Sequence, residues 1–563
     1  MPAPDGGLRA ATSPSGRTSR SSREAGIAAP CAGIRAGRIV TLMEIIRAGT
    51  AVVGVLLALG SAGCGAPAAP PVSAVGASVA LTSGTGPGAA GPEEARDGSP
   101  EPRGSEAWRI SRPSLRGEVA AYTTRSSGLP GARVGLKVST TEGGWEAAAF
   151  RIGSYAGGTG ANVWESGRRI GREQAAAVFS PHATRTVVAP WQRDLTIDTA
   201  GWEPGFYVLR LRTDTGWETQ VPYIVRSPSA EGTVALVAPI TTWQAYNQWG
   251  GHSLYAGPAG DSRSHAVSFD RPYNGATGAN DYRTAALPVV IRAEATGVPL
   301  SYFTNVDLHT VPGALDGARG YVSMGHDEYW TPAMRTAVLE ARDAGTNLAF
   351  LGANTMYWRI RLESRSTGPA RVVVGYRHDA HLDPLYADGS PEATALFREP
   401  PVPRPEHDLL GMQYECYPVD TDYVVASPRW WGFRGTGVRR GEHVHGLVGP
   451  EADRVYPDAR LPRPLQVLSH SPYSCRGVAT SSQSVYYTTD SGAGVFNAGT
   501  LRWGCAMVDK CERPLGEGTQ RFTRTVTGTL VSEFARGPVG SRHPARDNVD
   551  SFDLATLNTV PAS

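Results

Sequence analysis

The chain has 563 residues, a length that corresponds to about two to four domains of roughly 150 residues each. Its 54 basic and 52 acidic residues leave a formal net charge of +2, so charge gives no reason to expect a nucleic-acid or acidic partner. Hydrophobic residues make up 41% and charged residues 19% of the chain, ordinary proportions for a globular protein, so a sizeable core is available.

The N-terminal part predicts an export signal with a lipid anchor. Residues 1–42 are basic and unpatterned, and we interpret them as a misassigned start. Residues 43–63 join a short positive region to an apolar run too short to span a bilayer, followed by small residues and Cys64. This pattern resembles a bacterial lipoprotein signal in which Cys64 is lipidated, although Ser61 replaces the usual leucine; an ordinary secretory signal with an incidental cysteine is the alternative. We therefore expect an exported protein, anchored by lipid to the outer face of the bacterial cytoplasmic membrane.

The cysteines also favour an oxidising compartment. Four of the six lie beyond the predicted signal, namely Cys416, Cys475, Cys505 and Cys511, an even number that predicts two disulfides. Three pairings are possible, of which Cys505 with Cys511 is the easiest to close.

A linker and a β-sandwich are predicted next. Residues 64–105 are rich in Ala, Pro, Gly and Ser without an apolar period, which predicts a disordered linker, and 538–563 is expected to be a loose tail. Between 106 and 227, short alternating runs separated by Gly and Pro predict an immunoglobulin-like β-sandwich. The predicted strands are Gly117–Thr124, Arg133–Ser139, Trp145–Ile152, Thr186–Val188, Leu195–Asp198, Gly205–Arg212 and Gln220–Val225.

Residues 228–537 have a different pattern and predict an α/β domain. The continuous apolar run Gly232–Pro239 is typical of a parallel strand buried on both faces. Further along, an apolar run at Gly320–Met324, helical spacing at Met334–Ala344 and a second apolar run at Asn347–Gly352 give the order strand, helix, strand. That order predicts a parallel βαβ unit.

Each predicted strand of this domain is followed by polar residues. In a parallel sheet the strands end on the same side, where ligands of open α/β sheets bind, so we expect these residues to converge. They are Tyr246 and Asn247, then Asp307 and His309, then His326, Asp327 and Glu328, and finally Asn354.

The elbow Gly325–Trp330 contains the densest group of ionisable residues. Glu328 can bind a metal or act as a base, and His326 can orient it or donate a proton. The alternative is a salt-bridged turn with a helix-capping acid. Thr331 can cap the following helix, and Pro332 suits its first position. A nucleophilic mechanism is disfavoured, since class I amidotransferases carry a cysteine in this elbow and no Gly-x-Ser-x-Gly motif is present.

Other polar groups are interpreted as structural or solvated. Asp270 and Arg271 are expected to form a structural ion pair. Two histidine motifs with metal-like spacing lie in segments that we expect to be exposed, His378-x-x-His381-x-Asp383 and His443-x-His445.

Three segments carry a resemblance to a known family: Thr241–Asn247 (TTWQAYN), Gly325–Trp330 (GHDEYW) and Gly352–Thr355 (GANT). Together they resemble the C-terminal domain of the N,N-dimethylformamidase large (beta) subunit family, over about Gly232–Phe534. The resemblance implies an α/β fold of the class I glutamine-amidotransferase-like (flavodoxin-like) type, with a parallel sheet, preceded by the immunoglobulin-like β-sandwich.

The resemblance also implies an amidase with one iron ion, Fe(III), held by two tyrosinates and a glutamate. By motif, Glu328 and Tyr246 are the expected metal ligands, and Tyr207 has about the right spacing to be the second tyrosinate. His326, beside the ligand glutamate, and Asn354, in the pocket, are the expected catalytic residues. Oxygen ligands are hard and suit Fe(III).

We therefore expect an extracytoplasmic, iron-dependent hydrolase of the C–N bond of a small linear amide, acting between the sandwich and the α/β domain. No nucleic-acid partner is expected, and the sequence leaves open whether a small subunit or a homo-oligomer forms. One alternative is a non-catalytic surface lipoprotein that binds polysaccharide or protein through the β-sandwich. Another is zinc or a different metal at the same ligands.

Overall fold

Alternating apolar and polar residues between Val119 and Val225 form two β-sheets that share one hydrophobic core. One sheet joins Val119–Thr123, Arg133–Thr140 and Leu195–Asp198 in that order. The other joins Ser127–Gly128, Glu218–Val225, Gly205–Thr213, Gly144–Tyr155 and Gly158–Glu165, with Arg169–Ile170 paired to Gly144–Tyr155, while Val178–Phe179 and Val187–Val188 form a separate two-stranded sheet. Two layers around one core are the arrangement of a β-sandwich, compatible with the immunoglobulin-like prediction. The strands are β1 Val119–Thr123, β2 Ser127–Gly128, β3 Arg133–Thr140, β4 Gly144–Tyr155, β5 Gly158–Glu165, β6 Arg169–Ile170, β7 Val178–Phe179, β8 Val187–Val188, β9 Leu195–Asp198, β10 Gly205–Thr213 and β11 Glu218–Val225.

The structure, a computed structural model, describes residues 103–259, 262–275, 278–457 and 460–554. All of these belong to one structural unit. The predicted signal at 43–63, the preceding 1–42, Cys64 and nearly all of the linker lie outside the described residues. Within the described ranges, no helix combines the length and the apolar character needed to cross a bilayer.

The second part of the chain contains one large sheet and several small ones. Its strands are β12 Val234–Ala238, β13 Ala266–Ser268, β14 Leu300–Thr304, β15 Gly320–Ser323, β16 Tyr329–Trp330, β17 Asn347–Phe350, β18 Trp358–Arg359, β19 Arg361–Arg365, β20 Gly368–Val374, β21 Gln413–Cys416, β22 Thr421–Val424, β23 His443–Val448, β24 Ala452–Arg454, β25 Leu465–Cys475, β26 Val478–Thr488 and β27 Gly494–Asn497. Its helices are α1 Ile240–Tyr246, α2 Gly278–Asp281, α3 Leu287–Glu294, α4 Asn305–Thr310, α5 Pro332–Asp343, α6 His407–Leu410, α7 Trp503–Ala506 and α8 Gly516–Phe534.

The predicted flavodoxin-like, class I glutamine-amidotransferase-like fold is wrong, because the large sheet is mixed and small sheets surround it. The large sheet has the order β14-β12-β15-β17-β27-β26-β25. Its pairs from β14 to β27 are parallel, but β26 runs antiparallel to both β27 and β25. Four further small sheets lie in the same part of the chain.

Helix content gives the physical reason for this correction. A doubly wound fold needs long helices that cover both faces of a parallel sheet. Among the described residues, three helical segments are longer than eight residues: α5 with 12 residues, α8 with 19 residues, and α2 with α3, which the π-helical turn Tyr282–Ala286 joins. The predicted βαβ unit is present as β15, α5 and β17, but the 11-residue strands β25 and β26 continue the sheet as an antiparallel hairpin.

Both outer edges of the large sheet are closed by hydrogen bonds from neighbouring segments. On β14, the main chain of Tyr302 accepts from Ser227 N–H at 3.0 Å and donates to Ser227 Oγ at 3.0 Å. On β25, Leu468 O accepts from the N–H groups of Ala426 and Ser427, and Asn548 Oδ1 accepts from Val467 N–H at 2.7 Å. The edges therefore present few free main-chain groups to other strands.

Two disulfides are present, as the sequence predicted. Cys416 pairs with Cys475 and links β21 to the end of β25. Cys505 pairs with Cys511 and closes a short turn after α7.

Candidate functional site

The elbow between β15 and β16 places Glu328 in the interior, where it is 1% exposed. Two contacts fix its main chain: Glu328 N–H donates to Thr242 Oγ1 at 2.9 Å, and Trp358 N–H donates to Glu328 O at 2.9 Å. The turn itself needs Gly325, which has φ +89° and lies so close to Ala285 that an added Cβ would be 2.7 Å from its Cβ. The first residues of the GHDEYW motif thus fix where the carboxylate lies.

Two phenols meet the Glu328 carboxylate. Tyr246 Oη donates to Oε2 at 2.8 Å, and Tyr255 Oη donates to Oε1 at 2.6 Å. The two phenol oxygens are 2.9 Å apart, and the rings stack with centroids 4.2 Å apart. Two tyrosines and one glutamate therefore bring their oxygens together in one buried cluster, which we call the Tyr–Tyr–Glu cluster (Tyr246, Tyr255 and Glu328).

Tyr246 is the last residue of α1, and a buried arginine holds the end of that helix. Arg271 donates to the main-chain carbonyls of Gln244, Asn247, Trp249 and His252 at 2.8 to 3.2 Å. These carbonyls lie at and beyond the end of α1, where the helix leaves carbonyls without N–H partners, although Gln244 O also accepts from Asn247 N–H at 3.2 Å. The predicted ion pair with Asp270 is not formed: Asp270 pairs with Arg371 at 2.8 Å instead.

The structure places Tyr207 away from the cluster. It lies in β10 within the sandwich core, stacks on Trp202 with centroids 4.9 Å apart, and donates to Glu203 O at 2.7 Å. Tyr255, from the loop that precedes β13, is the second tyrosine that contacts Glu328, and Tyr207 is not. Spacing along the chain did not reveal this, because the loop returns to the site only through tertiary contacts.

His326 and Glu451 stand beside the cluster. His326 Nε2 lies 3.5 Å from Glu328 Oε2 and 3.5 Å from Glu451 Oε2, and its ring centroid is 5.2 Å from that of Tyr246. Both His326 Nε2 and Glu451 Oε2 are buried and lack a hydrogen-bond partner among the described residues. Glu451 follows a Gly-Pro pair in a segment that the sequence analysis did not single out.

Asn354 also lies at this site. It has φ +56°, and its N–H donates to Asp453 Oδ1 at 2.8 Å. Its Oδ1 is buried and unpartnered in the part of the chain that the structure describes. Its side chain hydrogen-bonds Glu451 and so opposes the rise in the pKa of that acid that burial causes. A polar residue in a left-handed conformation with a free acceptor is typical of functional sites.

Burial dominates the electrostatics of the site. It raises the pKa of Glu328, against the opposing effects of Arg377 and the two phenols. Burial and the charge of Glu328 raise the pKa of Tyr246 and of Tyr255 well above the ordinary value, and the same two causes raise the pKa of Glu451. Burial lowers the pKa of His326 to about 3, so its imidazole is neutral at physiological pH.

The other predicted groups do not join the cluster. Asp307 caps α4 and accepts from Ser127 Oγ at 2.7 Å, and His309 Nδ1 lies 3.0 Å from Thr331 Oγ1. The four histidines of the two spaced motifs are exposed, as expected. Among the described residues, no group of three or more His, Cys, Asp or Glu side chains is placed to hold a metal ion.

The phenol-containing cluster is a different donor set, and it fits a hard cation. Its oxygen–oxygen distances of 2.6, 2.8 and 2.9 Å are close to the separation of about 2.8 Å between neighbouring oxygens of an octahedral ion with bonds of about 2.0 Å. The unpartnered Nε2 of His326 and Oε2 of Glu451 lie next to these oxygens. Tyr246, Tyr255 and Glu328 are thus the residues that would hold such an ion.

Comparison with known proteins agrees with the motifs. The sequence profile described as N,N-dimethylformamidase beta subunit-like, C-terminal, matches residues 146–513, well over half of the chain. A search of curated proteins finds no match. Among solved structures, the chain is similar to a Paenibacillus sp. cycloisomaltooligosaccharide glucanotransferase complexed with cycloisomaltoheptaose, at 9% identity and a TM-score of 0.14. That match covers 43% of this chain and 28% of the other, so the chain spans less than a third of that enzyme. On the profile match, the chain belongs to the N,N-dimethylformamidase beta subunit-like family.

Proposed function

We propose that the protein is a hydrolase of an amide C–N bond that uses one iron ion, Fe(III), held by Tyr246, Tyr255 and Glu328. The observation that carries the proposal is the meeting of these three side chains, with each phenol oxygen within 2.8 Å of the carboxylate. Family membership gives the hydrolase class, and the oxygen-only donor set favours a hard cation. When bound, the ion would polarise the amide carbonyl and lower the pKa of a bound water.

Residues of the chain itself would transfer the protons. Hydrolysis breaks the C–N bond, forms a C–O bond and transfers one proton of water to the departing nitrogen. Burial and the charge of Glu328 raise the pKa of Glu451, and its Oε2 can give a proton to that nitrogen. Neutral His326 can orient the water or the substrate between the two carboxyl groups. Asn354 can accept a hydrogen bond from the attacking water through its free Oδ1.

Three variants test this proposal on the purified protein. Glu328→Ala and Tyr255→Phe should each remove bound iron and the yellow-to-red tyrosinate absorption, together with amine release from N,N-dimethylformamide or a related small amide. Tyr207→Phe is the matched control: it should keep iron, colour and activity, because this tyrosine lies in the sandwich core. It should lower the free energy of unfolding by only about 1 kcal/mol, for its single hydrogen bond to Glu203 O.

Metal analysis, visible absorption and amine detection together give the result. Colourless, metal-free wild-type protein that releases no amine would contradict the proposal and favour a non-catalytic binding protein. Equal loss of iron in Tyr207→Phe and Tyr255→Phe would contradict the ligand assignment. Colourless protein that holds zinc would keep the cluster and change the metal.

We also propose that the protein acts outside the cytoplasm, attached through a lipid on Cys64. The support is the lipoprotein-like sequence before Cys64 and the two disulfides, which an oxidising compartment maintains. Fractionation of the producing cells tests this: wild-type protein should sediment with membranes, and Cys64→Ser should release it. Equal distribution of the two proteins would remove the support for an anchor.

A further inference from the structure

Tyr255 is held differently from the other members of the Tyr–Tyr–Glu cluster. Tyr246 ends a helix and Glu328 begins the short strand region after the elbow, whereas Tyr255 comes from the irregular segment between Trp249–Gly251 and β13. Inside this segment, Ser253 Oγ accepts from Tyr255 N–H at 3.1 Å, and Leu254 N–H donates to Ala245 O at 3.0 Å. A side chain on such a loop needs support from outside the loop to keep one position.

Arg377 supplies that support from the other side of the ring. Its guanidinium carbon lies 3.6 Å from the centroid of the Tyr255 ring, while the Tyr246 ring stacks on Tyr255 at 4.2 Å. Two planar groups at these distances occupy opposite faces, so the Tyr255 ring lies between Tyr246 and Arg377. Arg377 Nη1 also donates to Leu254 O at 2.8 Å and so binds the main chain next to the tyrosine.

The main chain at Arg377 is in an unusual conformation. With φ +59°, this arginine lies in the left-handed region that residues with a Cβ rarely adopt. Such conformations persist where surrounding contacts impose them, and they concentrate at functional sites. Here the guanidinium also lies 5.0 Å from the ring of Trp358, and the main-chain N–H of Trp358 donates to Glu328 O. This main-chain conformation therefore places the Arg377 side chain next to both the Tyr255 ring and the Trp358 ring.

We propose that Arg377 is a positioning residue that holds Tyr255 against Glu328 before any ion binds, by covering the ring and tying down Leu254 O. A permanently charged, flat guanidinium can do both. Its face stacks on an aromatic ring, while its N–H groups donate hydrogen bonds in the plane of the guanidinium. The role of Arg377 in positioning this loop does not depend on the proposed function. Its consequence for iron binding rests on that function.

Hydrogen exchange of the metal-free full chain tests the positioning. In Arg377→Met, amides of residues 252–259 should exchange about tenfold faster than in the wild type. Arg377→Lys, which keeps the charge but cannot lie flat on the ring, should give a smaller increase. The matched control is Arg112→Met, because Arg112 stacks on Trp217 at 3.8 Å and donates to Thr215 O in the sandwich; it should leave 252–259 unchanged.

Iron titration with visible absorption provides the second readout. Arg377→Met should raise the apparent Kd for iron by about 10- to 100-fold, as substitutions of other residues that orient metal ligands do. Arg112→Met, the control in the sandwich, should leave the iron affinity unchanged. Unchanged exchange at 252–259 in Arg377→Met would overturn the inference.

Two outcomes separate this inference from the proposed function. Faster exchange at 252–259 in a protein whose wild type binds no iron would refute the metal centre and support the positioning role. Unchanged exchange at 252–259 together with normal iron binding by Arg377→Met would refute the positioning role and leave the metal centre in place. If circular dichroism shows that Arg377→Met does not fold, Arg377→Lys decides by the same exchange measurement.

Discussion

Glu328 is a buried acid whose contacts make an oxygen-rich cluster tolerable inside a protein. A carboxylate taken out of water is strongly unfavourable unless it is hydrogen-bonded or paired. Tyr246 and Tyr255 each donate to it, and the positive charge of Arg377 opposes the rise in the pKa of Glu328 that burial causes. The two phenol oxygens and the carboxylate therefore stay together in the protein alone.

Asp383 gives the fold a pH-dependent stability that is separate from the cluster. Burial opposes its ionisation most strongly, but hydrogen bonds from Thr394, Leu385 and Arg361 together outweigh burial and lower the pKa of Asp383 below its ordinary value. A group with a lowered pKa in the folded state stabilises the fold above its unfolded pKa of about 3.9, and this contribution is lost as the pH falls through the folded pKa.

Asp383→Asn should therefore lower the free energy of unfolding at pH 7 by about 1 to 3 kcal/mol, and this deficit should shrink below about pH 4. Urea unfolding at a series of pH values measures it. Asp550→Asn is the control, because that carboxylate is 91% exposed and its substitution should have little effect at any pH. A deficit that is constant from pH 7 to pH 3 would contradict the assignment to ionised Asp383.

The sequence reveals those site residues whose positions depend on neighbouring residues in the chain. Glu328, His326 and Tyr246 lie in motifs at the ends of elements, so their positions follow from neighbours in the chain. Tyr255 and Glu451 reach the site from loops, and their approach depends on contacts between segments far apart in sequence. For Tyr207, spacing along the chain was not enough, because its strand directs the side chain into the sandwich core.

Helix α1 is short, although it positions one tyrosine of the Tyr–Tyr–Glu cluster. It has seven residues, carries Tyr246 at its end and has no side-chain cap at its start. Arg271 satisfies the carbonyls at its C-terminal end, and burial lowers the pKa of Arg271 to about 9. A buried guanidinium surrounded by carbonyls binds several chain segments at once.

Arg271→Met should lower the free energy of unfolding by about 3 kcal/mol, because it leaves buried carbonyls without donors. The same variant should weaken iron binding, since the end of α1 that carries Tyr246 is no longer held. Chemical denaturation and iron titration measure the two effects. Arg116→Met, an exposed arginine near β1, is the control and should change neither quantity. Wild-type stability in Arg271→Met would show that water replaces the arginine adequately.

The elements that local sequence determines were predicted well. Thr331 caps α5 through a hydrogen bond to Met334 N–H, with Pro332 at the first helical position, as the sequence indicated. Strands β10, β12 and β17 lie close to their predicted ranges, because continuous or alternating apolar runs specify them. Strand β5 was missed, since its residues at Gly158–Glu165 are mainly small or polar.

For the whole molecule, the sequence predicted only part of the strand pairing in the large sheet. The βαβ unit was visible in the sequence, but extending it to an all-parallel sheet was wrong. Whether a strand pairs parallel or antiparallel depends on where the chain returns, and β25 and β26 return as a hairpin of two long strands. That information lies in the turn Cys475–Val478 and in contacts of the whole sheet, not in the apolar pattern of either strand.

The two disulfides should contribute unequally to the stability of the whole molecule. They join cysteines 59 and 6 residues apart, and the entropy lost by the unfolded chain grows with the length of the closed loop. Replacing Cys416 and Cys475 by serine should lower the free energy of unfolding by about 4 kcal/mol, and replacing Cys505 and Cys511 by about 2 kcal/mol. Denaturant unfolding of both double variants tests this order. A larger loss from the shorter loop would point to strain or to structure in the unfolded chain.

The closed outer edge of β25 has a consequence for how the protein behaves in crowded surroundings. An uncovered strand of 11 residues would offer its main chain to the strands of other molecules, the contact from which fibrillar aggregates grow. Ala426, Ser427 and Asn548 occupy this edge, and the bond between Cys416 and Cys475 joins one end of β25 to a neighbouring strand. The same covalent link that stabilises the fold thus helps to keep separate copies of the protein from self-associating through this strand.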